Sequence, residues 1–250
     1  GCHIPEGGAL CVDSVRPRAY TEEDQLLLHR FARHLARQVH SAGLACDAED
    51  LRRYFTRLEQ LSELSAQNPH WRDYLGAFLR LMAESTEFEY VAFATAQEGG
   101  STYTVEGENT PLLITEDGMP ELPLTSGGLV SWVFRNEVPV HAEGADGSPS
   151  TPLFGKLPGV PNFQSVMCLP VHLNKITCGV LCFAGLNPRS LSQNLRTFTK
   201  IAVTYLAQYL EMLYLRHRLK SLLPRAKVHR DGAMAYDPDT EPSAPMSEED

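Results

Sequence analysis

The stretch "GVLCFAGLNPRSLSQNLRTFTKIAVTYLA", residues 179–207, decides the reading of the whole chain. It opens as a continuous apolar run that fits a buried strand, turns at Asn187 and Pro188, and continues as an amphipathic helix capped by the hydroxyl of Ser192. Shifted by 171 positions, the same pattern lies without a gap on "GALCVDSVRPRAYTEEDQLLLHRFARHLA", residues 8–36. Gly8, Leu10, Cys11, Pro17, Arg18, Leu35 and Ala36 match Gly179, Leu181, Cys182, Pro188, Arg189, Leu206 and Ala207. Thr21 falls on Ser192 as a second helix cap, and Leu27 on Phe198 as the start of an apolar stripe. Matched identities, strand, turn and cap together mark an internal repeat.

Working outward, the second copy has strands before it and the first copy does not. "QSVMCLPVHLNKITCGVLCF" reads as two strands, Ser165 to Val171 and Ile176 to Phe183, around a polar turn at Asn174 and Lys175. "YVAFATAQ" and "STYTVE" flank Gly99 and Gly100 as another hairpin. Upstream, Asn68 and Pro69 are expected to cap and begin a helix whose apolar positions are Trp71, Leu75, Phe78, Leu79 and Met82. The expected division is therefore 1–42, the closing strand and helix of an earlier domain; 43–67, a linker helix capped at Asp47; 68–223, one complete domain with an overlong last helix; and 224–250, a disordered acidic tail. On this reading the natural protein continues upstream of Gly1, and the strand Ala9 to Ser14 has no sheet to join unless another element supplies an edge. In the linker, Leu51, Tyr54, Leu58 and Leu61 follow the spacing of a coiled-coil seam, which predicts a homodimer through helices; packing on the chain's own domain fits the same spacing.

Composition limits the functions available. An apolar content of 43% supports a real core over 250 residues. The longest apolar run, "CGVLCFAGL", is less than half of the roughly 20 residues a membrane span needs, so a soluble, cytoplasmic chain without a membrane partner is expected. The net charge of -9 is misleading, because residues 231–250 hold seven acids and no Lys or Arg, which leaves -2 for residues 1–230. Six Lys or Arg and two His lie between Arg216 and Arg230, but no aromatic interleaving or reading helix accompanies them, so no nucleic-acid partner is expected. A helix C-terminus favours cations in any case.

The motifs "GGLVSWVFRNEVPVHA" (Gly127 to Ala142), "SVMCLPV" (Ser165 to Val171) and "GVLCFAGLNPRSLSQNLRTF" (Gly179 to Phe198), in that order, resemble a GAF domain over about residues 68–215. Residues 8–36 resemble the closing motif of a preceding one. The resemblance implies an α+β fold, an antiparallel six-stranded sheet with the terminal helices on one face and a ligand pocket on the other. It implies a regulatory, non-enzymatic module that binds a small molecule or only dimerises and docks partners. Pocket walls would come from Phe93 and Thr95 on the first strand, from Ser126, Gly128 and Trp132 around a short helix, and from His141, Phe154 and Phe163 in a long loop rich in proline and glycine. A polar cavity there favours sensing, whereas filling by Phe154, Phe163 and Trp132 favours a structural role.

No cofactor is specified by these residues. Bilin attachment needs a thiol beside the pocket, and no cysteine lies between Cys46 and Cys168. The Asn-Lys-Phe-Asp-Glu motif of cyclic-nucleotide-binding phosphodiesterase domains is missing, since the only Asn-Lys pair, Asn174 and Lys175, sits in a turn; other modes of cyclic nucleotide binding stay open. The imidazole of His141 has the chemistry to ligate haem iron, though an ordinary polar role is commoner. Free methionine sulfoxide reductases of the same fold make thiol catalysis the enzyme alternative, but their cysteines belong in pocket loops. Folding the hairpin about Asn174 brings Cys168 beside Cys178, subject to a one-residue change in the turn, and buried structural thiols are the expectation. No paired metal ligands, catalytic triad order or phosphate-cradling loop is present.

Overall fold

The computed structural model describes residues 2–4, 8–13, 15, 20–96, 99–113, 121–143 and 152–222. Chain order is β1 (Cys2–Ile4), β2 (Gly8–Leu10), α1 (Glu22–Gln67), α2 (Trp71–Thr86), β3 (Tyr90–Ala96), β4 (Thr102–Glu108), β5 (Glu121–Pro123), α3 (Leu129–Asn136), β6 (Val140–Glu143), β7 (Ser165–Leu173), β8 (Ile176–Gly185) and α4 (Gln193–Leu222). Residues up to Leu210 form one compact unit. The anticipated acidic tail lies outside the described residues.

Six strands form one antiparallel sheet in the order β5-β4-β3-β8-β7-β6. The long β7–β8 hairpin turns on Asn174 and Lys175, whose φ values of 50° and 68° are the left-handed pair that a tight two-residue hairpin requires. A bulge follows. Val171 pairs with Gly179 while His172 pairs with Thr177, so Cys178 is the extra residue and every later pair moves by one. Cys168 therefore lies opposite Cys182, not Cys178.

Helices cover one face of this sheet. Tyr74, Leu75, Phe78, Leu79 and Met82 of α2 are buried, as are Leu195, Phe198, Ala202, Leu206 and Tyr209 of α4; both sets recur at helical spacing. The rings of Tyr74 and Tyr209 stack at 3.6 Å, and the Tyr209 hydroxyl donates to the Asn68 carbonyl at 2.9 Å. Ser192 caps α4 through Leu195 N, as its position in the repeat predicts. Arg189, next to the repeat's proline, donates to the Thr86 carbonyl, pairs with Glu87 at 3.4 Å and lies over the Phe88 ring.

The N-terminal segment departs from expectation. The strand read as Ala9 to Ser14 is Gly8–Leu10, and it has a partner: Cys2–Ile4 supplies the edge as a short hairpin. Thr21 caps the helix in a reciprocal capping box with Asp24. The two helices expected on either side of residue 42 are one helix of 46 residues, with Asp47 in its interior rather than at a cap. Gly43 does not stop it, because an isolated glycine costs only about 1 kcal/mol in a helix. Asn68 closes this helix and His70 begins the next, so the expected Asn68–Pro69 start is shifted by two residues. Of the anticipated seam, Tyr54 and Leu61 are buried in the chain's own fold and Leu51 is exposed. The Tyr54 ring stacks on Phe198 of α4 at 4.6 Å, and Arg53 pairs with Glu87 at 3.0 Å.

Candidate functional site

Alternation along the strands sorts the predicted pocket residues onto two faces. Tyr90, Ala92 and Ala94 of β3 join the apolar cluster on the α3 side, together with Tyr103, Val105, Cys168, Val180 and Cys182. Phe93, one residue out of phase, points to the helices, where its ring meets Trp71 edge-on at 5.9 Å and a Cβ on Gly179 would strike it at 2.5 Å. Thr95 lies on that same face and donates to Glu106 at 3.0 Å. His141 pairs with Met167, whose sulfur accepts from Thr199 of α4, so it too lies on the helix side. Phe93, Thr95 and His141 are thus separated by the sheet from the remaining candidates.

Ser126, Gly128, Phe154 and Phe163 do come together. Pro152–Gly155 runs directly against the start of α3: Leu129 N–H donates to the Pro152 carbonyl and Val130 N–H to the Leu153 carbonyl, each at 3.1 Å. Two of the amides a helix leaves unpaired at its N-terminus are thereby taken by the chain's own loop. The approach depends on two glycines. A Cβ on Gly128 would lie 2.7 Å from the Leu153 carbonyl oxygen, and Gly155 turns at φ +86°, a conformation other residues rarely adopt. Phe154, 1% exposed, is delivered onto Tyr90 edge-on at 6.0 Å, and Phe163 stacks on the same ring at 5.7 Å. Leu153 is buried with them. Trp132 stays outside: it is 39% exposed and lines a shallow surface groove of about 340 Å³ with Leu129, Arg135 and Val140.

The polar atoms in this interior are few. Tyr90 donates to Glu108 at 2.7 Å, and the Glu108 carboxylate also receives the Leu112 and Leu113 N–H groups. Burial, reinforced by that carboxylate, pushes the Tyr90 phenol well above its ordinary value. The Tyr103 hydroxyl and the Ser126 hydroxyl are buried side by side, and neither makes a hydrogen bond of normal geometry. Burial also holds the Tyr103 phenol protonated. Cys168 and Cys182 are fully buried, and burial together with the Cys168 neighbour drives the Cys182 thiol well above its usual range. Such thiols are poor nucleophiles. Among the described residues no group of His, Cys, Asp and Glu is arranged to hold a metal ion, and no helix is long and apolar enough to cross a membrane.

Filling by Phe154 and Phe163 was one of two outcomes left open by the sequence, whereas Leu153, Tyr90 and Tyr103, which share that interior, were not singled out, because only tertiary placement brings them together. The phase of β3 has its counterpart at Gly179, whose missing side chain leaves the space that the Phe93 ring fills on the helix side.

No family model and no curated protein sequence matches the chain. Solved structures do. The GAF domain of a phosphoenolpyruvate-protein phosphotransferase from Coxiella burnetii superposes with a TM-score of 0.57 at 15% identity, over 69% of this chain and 99% of that one. The GAF domain of the corresponding Acinetobacter protein gives 0.54 at 16% identity, over 66% and 97%. Free methionine-R-sulfoxide reductase from Neisseria meningitidis, in complex with its substrate, gives 0.52 at 15% identity, over 63% and 88%. The chain has the GAF fold.

Proposed function

We propose that the chain is a regulatory GAF module that acts by docking partners and through its long helices, with its ligand side closed by its own loop. The observation that carries this is Phe154, seated on Tyr90 while the Pro152 and Leu153 carbonyls occupy the α3 amides. A ligand on that side would have to displace a buried aromatic and two backbone hydrogen bonds. The reading is non-enzymatic, because Cys168 and Cys182 are both buried and burial drives the Cys182 thiol well above its usual range, so the activity named for the Neisseria protein is not carried over. The helical part of the role rests on α1, where residues 41–49 are exposed on every side and Leu27, Phe31, Leu44 and Leu51 face outward. A homodimer through these helices in a cytoplasmic signalling protein, with residues 1–42 as the end of a preceding GAF domain, completes the proposal.

A second reading is favoured by one observation. The buried hydroxyls of Tyr103 and Ser126, side by side without a hydrogen bond of normal geometry, would suit a small polar ligand, a cyclic nucleotide among them, if the loop withdrew. Native mass spectrometry of protein purified from its own host separates the two. The closed reading expects the bare chain mass; a stoichiometric small molecule would overturn it in favour of sensing.

A further inference from the structure

The edge strand β6 carries the features of a peptide-docking site. It ends the sheet order, so one side of its backbone pairs with β7 and no described strand pairs with the other. An open strand edge is a template for a further strand, in which backbone bonds supply affinity and pockets for alternate side chains supply selectivity. β6 has such pockets on both faces. Val140 points to the α3 side, into the groove of about 340 Å³ where Trp132 and Leu129 give the apolar wall and Arg135 a cation. His141 points to the helix side, into a groove of about 660 Å³ where Leu169, Pro170 and Ile201 form the apolar floor and Lys200 a cation. Glu137 also borders the second groove, and Arg196 is already met by Glu143 at 2.7 Å, leaving Lys200 as a cation that no carboxylate of the described residues approaches within ion-pair distance. Trp132 and Val138, 39% and 50% exposed, extend the apolar surface at the start of the strand.

We infer that β6 accepts an extended acidic and apolar segment of a partner protein as an added strand. Each groove offers one apolar and one cationic surface, and side chains of a strand alternate between faces. The segment therefore has two adjacent apolar residues, one for each groove, next to two adjacent carboxylates, one for Arg135 and one for Lys200. This deepens the docking role proposed above and rests on it; the closed interior is tested separately by the co-purified mass, so the two can fail independently.

Fluorescence anisotropy with two labelled eight-residue peptides, centred on Leu-Leu-Glu-Glu and on Glu-Glu-Leu-Leu, tests the inference. One of them should bind saturably at micromolar concentration, and its Lys-for-Glu counterpart should not. Lys200→Glu and Trp132→Ala should each weaken binding at least tenfold, and Lys200→Glu, at a solvent-exposed side chain, should do so without altering the thermal transition. N-methylation of alternate backbone amides in the peptide should weaken it as much in one of the two phases and leave it intact in the other. Absence of saturable binding by both peptides, binding indifferent to Lys200→Glu and to N-methylation, or cross-links that place β6 against a second copy of the chain would overturn it.

Discussion

Phe154 and Trp132 show how far one residue's place in the fold sets its energetic weight. Both were anticipated as fillers of the same space, yet one is 1% exposed against Tyr90 and the other 39% exposed at the surface. Phe154→Ala should cost about 3–5 kcal/mol by the usual penalty for emptying an aromatic site, and Trp132→Ala should cost less, in proportion to the apolar area it leaves buried. Urea denaturation of the two variants measures the difference; equal costs would place the loop outside the core. His141 yields a pH prediction. Burial, aided by Arg196 and opposed by Glu143, lowers its pKa from 6.5, so the folded state binds fewer protons than the unfolded chain near that pH. Stability from this group is complete above pH 6.5 and falls as the pH drops through the lowered value. His172, Lys200 and Glu137 face the same groove and are unchanged in a His141→Gln variant, so their titration cancels between it and the wild type. His141→Gln should flatten that part of the stability profile, as followed by thermal melts between pH 5 and 7, an interval that brackets the ordinary histidine value. Of the residues named from sequence, Ser126, Gly128, Phe154 and Phe163 lie together, whereas Phe93, Thr95, His141 and Trp132 do not join them. The face each one takes was not legible in the sequence, because a one-residue phase error moves a strand side chain across the sheet.

Elements were read more securely than their junctions. The β7–β8 hairpin, the caps at Thr21 and Ser192 and the buried stripe of α2 follow from local rules that tertiary context reinforces. The joint between the two expected helices was placed at residue 42 from the repeat, with Asp47 as the second cap, yet one helix continues through it. The cysteine pairing was missed for a related reason, since the bulge at Cys178 appears only once β7 and β8 are paired. Helix α1 then makes a prediction about attachment. Tyr54 is buried on Phe198, a stacked pair worth about 0.5–1.5 kcal/mol beyond its area, whereas the Arg53–Glu87 pair is partly exposed and worth at most about 1 kcal/mol. Tyr54→Ala should therefore loosen α1 over residues 50–61, speeding amide exchange there while β8 stays protected. Arg53→Ala should leave that exchange nearly unchanged. Comparable effects from the two would assign the joint to charge rather than packing.

At the scale of the compact unit, a six-stranded sheet carries helices on one face and a short helix with a folded-in loop on the other. The resemblance read from three sequence motifs specified this architecture, because alternating and helical apolar patterns are what fix layers and order. It did not specify whether the second face is open or filled, which depends on a loop whose glycines permit a close approach that no periodic pattern announces. The central claim is that the loop closes this side in the wild-type protein. Amide hydrogen exchange at Leu129 and Val130 tests it most directly, since their N–H groups donate to the Pro152 and Leu153 carbonyls at 3.1 Å. Free amides at a helix N-terminus exchange fast, having no intrahelical acceptor. The account predicts protection at both residues approaching that of the β7–β8 ladder; exchange at the rate of exposed amides would show the loop detached and contradict it.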